Sequence, residues 1–181
     1  MLEDYSGEFN GTIEFEKFSR EALVGLLKVY AKLYSAIDGF WYLSVKERID
    51  DDEALACDMW VWNKAVKYEL DRLVKVLKIE GKNVTSLMKA LQMSPWFWVF
   101  KYNMDIDNDD HAILTITECP TLAALEKEGT GREKRICQVV EPMIFQEYAD
   151  YFNPSIKVDY LEIPPRKNRN GICCRWEFTM E

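Results

Sequence analysis

Positive charge is scarce in this chain: 23 Lys and Arg stand against 31 Asp and Glu, a net charge of −8. A phosphate backbone is repelled by that balance unless a local basic patch overrides it. The one basic cluster, Arg166-Lys-Asn-Arg169, is short and flanked by Pro and Gly, and reads as a solvated turn. Nucleic acid is therefore not an expected partner. No uncharged apolar run approaches the ~20 residues of a spanning helix, so no membrane segment is expected. The start, Met-Leu-Glu-Asp-Tyr, has neither the basic n-region nor the apolar core of an export signal. Internal repeats and low-complexity tracts are missing too. Histidine occurs once, as His111. At ~3.3 Å per residue it stands over ~20 Å along its strand from Cys119, too far to pair with that thiol.

What is present suits one domain spanning 1–181, with 48% apolar residues and six Trp. Disorder is expected only over the first ten residues and around 167–170. Five cysteines, an odd number without an export signal, point to reduced thiols in a cytoplasmic protein.

Ser19 is a natural N-cap, and Leu23, Leu26, Leu27, Tyr30, Leu33, Tyr34 and Ile37 follow at helical spacing. Asp38 and Gly39 interrupt this face before Phe40 and Trp41. Asp38 is either an exposed carboxylate or part of a pocket near Tyr34, Trp41 and Tyr42. Asp50-Asp-Asp-Glu53 opens a second helix running to about Lys78, with Gly81 closing it. Leu55, Met59, Trp62, Val66 and Leu70 form its buried stripe. Cys57 reads as a packing or surface thiol. A short helix spans about 84–92. Residues 96–105 alternate and read as a strand, apolar on both faces near Trp96 to Phe100, so helices are expected on both sides of the sheet there. Asp107-Asn-Asp-Asp110 turns the chain into a strand at 111–118. A short helix begins at Pro120. A longer one covers 136–152, its true start pushed to about Glu141 by Pro142. Strands at 156–163 and 172–179 complete the pattern. The expected fold is α+β: a helical half, about 19–93, packed on a four-stranded antiparallel sheet of two hairpins with helices between them, about 96–181.

The last strand, Gly171-Ile-Cys-Cys-Arg-Trp-Glu-Phe178, sends Ile172, Cys174, Trp176 and Phe178 to one face and Cys173 to the other. Cys119 ends the 111–118 strand and Cys137 precedes the long helix. Cys119, Cys137 and Cys174 are expected to cluster, with Cys57 and Cys173 outside. Three readings stay open. The thiols pack as small apolar residues; or they ligate a soft metal such as zinc, with water, Glu118 or Glu141 completing the shell; or Cys119, at a helix N-terminus, is a nucleophile with Asp38 or Glu141 as base. The aromatic surplus reads as core and dimer interface, or as a pocket between the helical half and the sheet. Its walls would be Tyr34, Asp38, Trp41, Trp98 and Tyr102, suited to a planar or cationic organic ligand.

Phe18-Ser-Arg-Glu-Ala-Leu-Val-Gly-Leu-Leu27, Ala36-Ile-Asp-Gly-Phe-Trp41, Leu91-Gln-Met-Ser-Pro-Trp96, Cys119-Pro120, Asn153-Pro-Ser-Ile-Lys-Val158 and Cys174-Arg-Trp-Glu-Phe178 resemble a family of uncharacterised prokaryotic cytosolic proteins over nearly the whole chain. The C-terminal half also resembles the aminothiazoline-carboxylate hydrolases and the 4-vinyl-reductase-like small-molecule-binding domains. The second resemblance implies a zinc ion held by cysteines near a ligand pocket, here Cys119, Cys137 and Cys174. The chain departs from the usual zinc signatures, since no two of the three are close in sequence. The leading expectation is a ligand-binding or sensory-type domain; the alternatives are a hydrolase acting on a small sulfur- or nitrogen-containing acid and an interaction protein with a homodimer face.

Overall fold

The structure is a computed structural model that describes residues 1–180, so the final residue of the expected domain lies outside the described residues. Helix α1, Arg20–Arg48, is capped by Ser19, whose hydroxyl accepts from the Ala22 amide. Asp50 caps α2, Asp51–Leu77, by accepting from the Glu53 amide, and three acids fill the first turn. The two-residue link makes α1 and α2 a hairpin. Lys78 closes α2 in the left-handed conformation. Helix α3, Val84–Met93, capped by Asn83, buries six of its ten residues and exposes Lys89 and Gln92.

Residues 96–99 are not strand. Pro95–Val99 form a 3-10 turn with proline at its start, and β1 runs over Lys101–Asn108. The alternation is therefore a tight aromatic corner. Trp96 sits at its centre, its ring 5.5–6.0 Å from those of Trp62, Phe97, Phe100, Phe145 and Tyr148. Its indole N–H donates to the Tyr148 hydroxyl at 2.9 Å. Each such burial is worth about 1.5–3 kcal/mol.

Strand β2, His111–Glu118, pairs with β1, and β3, Ile156–Glu162, with β4, Cys174–Met180. The order β1-β2-β4-β3 is antiparallel throughout, so the fold is α+β as the alternating runs predict. Ala112, Leu114 and Ile116 of β2, with Trp176 and Phe178 of β4, are buried against the helices. Thr117 and Arg175, on the opposite face, are exposed. The 96–100 stretch thus gives no sign of helices on both faces; its apolar residues serve the corner instead.

Between the hairpins come α4, Pro120–Glu128, then the single turn α5, Glu133–Arg135, then α6, Glu141–Phe152. A π turn over Ile136–Val140 joins α5 to α6. Pro142 has no N–H for the Gln138 carbonyl and its ring crowds that oxygen, so the widened turn relieves a clash. The Gln138 side chain reaches the Pro164 carbonyl at 2.6 Å. Arg166 is not part of a solvated turn: it makes paired contacts of 2.8 and 2.7 Å to Glu126, both side chains about nine-tenths buried.

Candidate functional site

Helices α1 and α2 diverge enough to leave a recess of about 830 Å³ between them. One face of α1 supplies Tyr34, Ile37, Asp38 and Trp41, and one face of α2 supplies Cys57, Asp58, Val61 and Trp62. These positions recur every three or four residues, so a single stripe of each helix lines the space. The walls are mostly apolar and the mouth is open. Trp41 and Trp60 remain 69% and 66% exposed.

The floor is acidic. Asp38 and Asp58 stand close enough for each to bear on the other's ionisation, and the Trp62 indole nearby favours the charged form of both. Two carboxyls this close disfavour each other's ionisation. Burial is the main cause that holds both above the ordinary carboxylate range, and for Asp58 the neighbouring charges of Asp38 and Glu141 add to it. Arg132 partly offsets the shift of Asp58. Glu141 is pushed up to about 7, first by burial and then by Asp38. It stands at the first turn of α6, directly after the π turn. Asp38, Asp58, Glu141, Cys119 and Cys174 all sit deep in the protein yet keep some accessible surface.

The thiols lie around Glu141. Cys119, Cys137 and Cys174 all feel its charge; Cys137 also feels Cys119 and Cys174, Cys174 feels Cys119, and Cys119 feels Cys173. Burial pushes Cys119 up to about 12 and raises Cys137 and Cys174 as well. Cys119 caps α4, its sulfur accepting from the Leu122 amide at 3.3 Å, but this lowering is outweighed by burial. Cys173 is nearer to this group than its strand parity suggests. It precedes β4, its amide donates to the Ile116 carbonyl, and its charge bears on Cys119. Cys57 stands apart, exposed at the recess, 3.7 Å from Glu53. All five cysteines are free. Among the described residues, no group of three or more His, Cys, Asp or Glu is arranged to hold a metal ion.

One donor at the site lacks a partner. The Trp176 side chain is 1% exposed and its indole nitrogen has no hydrogen bond. It lies beside the Cys174 sulfur, close enough to favour the thiolate but outside bonding geometry. An unmade bond of this kind costs about 1–3 kcal/mol.

Of the residues expected from sequence, Tyr34, Asp38 and Trp41 line the recess. Trp98 and Tyr102 have other partners: Trp98 donates to the Gln92 carbonyl at 2.7 Å, and the Tyr102 ring lies 4.6 Å from Phe97. Asp58 and Trp62 were not foreseen as site residues. The signal was available, because Asp58 falls on the buried stripe one turn before Trp62. His111 begins β2 and contacts Glu177 at 3.0 Å, away from the thiols.

Among the described residues no helix is long and apolar enough to cross a membrane. Neither a curated protein nor a solved structure matches the chain. A family model described as a family of unknown function, DUF6125, matches residues 16–180, and the chain belongs to that family.

Proposed function

We propose that the chain is a cytoplasmic small-molecule-binding domain whose ligand is a planar organic cation held in the recess between α1 and α2. The observation that carries this reading is the recess itself: about 830 Å³, with aromatic walls and a carboxyl pair at its floor. That size is in the range of small-molecule pockets. Tyr34, Trp41 and Trp62 offer π faces to a flat ring. A cation placed on Asp38 and Asp58 offsets the burial and the repulsion that favour their neutral forms, and so displaces a proton. Binding is then coupled to proton release.

Benzamidine and its neutral isostere benzamide are suitable probes. Thermal unfolding with each should show stabilisation by benzamidine, strongest above neutral pH, and little by benzamide. Asp38→Asn should abolish the difference. Equal responses to the two probes would sink the cationic reading, and no response to any planar heterocycle would sink the binding reading.

A second reading is a hydrolase in which Glu141 takes a proton from Cys119. It is favoured by a carboxyl poised near neutrality among several thiols. Its test is loss of thiol reactivity at Cys119 in Glu141→Gln. Zinc on Cys119, Cys137 and Cys174 is a separate proposal, since their arrangement does not fit a shared shell as placed. Elemental analysis of protein purified without a nickel step tests it: zinc lost on Cys174→Ser supports the site, and zinc-free wild-type protein removes it.

A further inference from the structure

Helix α1 buries little of its apolar surface in its own chain. Of its 29 residues, Ala31 and Tyr42 are buried. Leu27, Tyr30, Leu33, Ile37, Phe40 and Trp41 are 47–69% exposed. A helix this apolar, left bare over most of its length, lacks a partner.

With the part-buried Leu23 ahead of them, the bare residues are ordered. Leu23, Leu27, Tyr30, Tyr34, Ile37 and Trp41 follow one another at steps of four, three, four, three and four. That is the a/d spacing of a two-helix seam. Leu33 and Phe40 widen it on one side. Ala31 and Asp38 lie on the other side, turned toward the chain's own α2 and recess. Tyr34, Ile37 and Trp41 belong both to the seam and to the recess lining, so the bare seam runs along the rim of the recess.

We propose that α1 pairs antiparallel with α1 of a second copy of the chain, and that this pairing roofs the recess of each copy. The seam is self-complementary when the helices run in opposite directions about its midpoint. Leu23 then meets Trp41, Leu27 meets Ile37 and Tyr30 meets Tyr34, each twice by symmetry. Small faces large at the ends, and two equal rings meet at the centre. The charges select the same direction. The first half of α1 carries Arg20, Lys28 and Lys32 against Glu21, whereas the second half carries Asp38 and Glu47 with Lys46 and Arg48. A parallel pair would set the basic halves side by side, and the antiparallel pair separates them.

The area is sufficient. Eight side chains, most about half exposed, present roughly 700 Å² per copy, close to the ~800 Å² of a standard stable interface. The consequence for the site follows from register. Ile37 and Trp41 line the recess; in the pair they are covered by Leu27 and Leu23 of the second copy. The open mouth becomes a closed, aliphatic roof. The proposal does not depend on which ligand the recess takes.

Sedimentation velocity on the full chain over micromolar to hundred-micromolar concentration tests it. The wild-type protein should sediment at twice its 21.3 kDa chain mass. Leu27→Glu with Leu33→Glu places four charges in the seam and touches neither the core nor the recess lining. It should weaken association by roughly 100-fold or more, as for seam residues that act as hot spots, with an unchanged far-ultraviolet spectrum. A monomeric wild type over the whole range overturns the proposal, as does a double variant that stays folded and dimeric. Hydrogen exchange on the wild type supplies a readout that needs no variant. Amides of 23–41 should gain protection with concentration, and concentration-independent exchange there contradicts the pairing. A monomer that still binds the probe would leave the binding reading standing while removing this one.

Discussion

A carboxyl group kept neutral by its surroundings is a stability statement as well as a chemical one. Burial holds Asp38, Asp58 and Glu141 above their ordinary values, Glu141 at about 7. In the unfolded chain each ionises near ~4. Between those limits the folded protein binds more protons than the unfolded one, so stability falls as pH rises from ~4 to ~7 and then levels off. Asp58→Asn removes the titrating partner and should flatten this descent; a variant whose denaturant midpoint falls as steeply as wild type would show that Asp58 is not part of it. The hydroxyl of Tyr148 has the opposite character. It meets Ser94, Trp96 and Glu69 at 3.0, 2.9 and 2.5 Å. Tyr148→Phe strands those partners and should cost about 1–3 kcal/mol in a denaturant titration. Trp176→Phe, which deletes an N–H already without a partner, should stay within ~1 kcal/mol of wild type or gain stability despite the lost ring area.

At the scale of elements, caps and periods were readable because they are local. Ser19, Asp50 and Asn83 each occupy the N-cap that their side-chain chemistry favours, and the strands at 111–118 and 156–162 follow period two. The stretch after Ser94 was misread for a physical reason. Trp-Phe-Trp-Val-Phe satisfies the strand pattern, but Pro95 presets the first residue of a 3-10 turn and the rings pack inward from several sides. Arg166 reads as solvated in the sequence because its ion-pair partner, Glu126, lies 40 residues away on α4. Gly81 shows the reverse case, where a residue noted only as a helix stop is constrained further. Its φ is +108°, and a Cβ there would stand 2.4 Å from the Ser86 hydroxyl. Gly81→Ala should therefore destabilise by about 1 kcal/mol or more in thermal unfolding, and a neutral result would show that the loop relaxes freely.

Over the whole molecule, the site draws on α1, α2, the turn before α6, the end of β2 and the start of β4. Asp38 and the three thiols could be picked out singly in the sequence. That Glu141 stands among them, and that Asp58 meets Asp38, depends on how the helical hairpin lies against the rest of the fold, which no local pattern encodes. The same placement makes the acid pair the core of the functional account, because a cation in the recess must take the place of a proton. Isothermal titration with benzamidine in two buffers of different ionisation enthalpy, from pH 5 to pH 8, measures that exchange directly. The account predicts tighter binding as pH rises, with protons released at the acid end of the range and none at the alkaline end. Binding that is independent of both pH and buffer would contradict it.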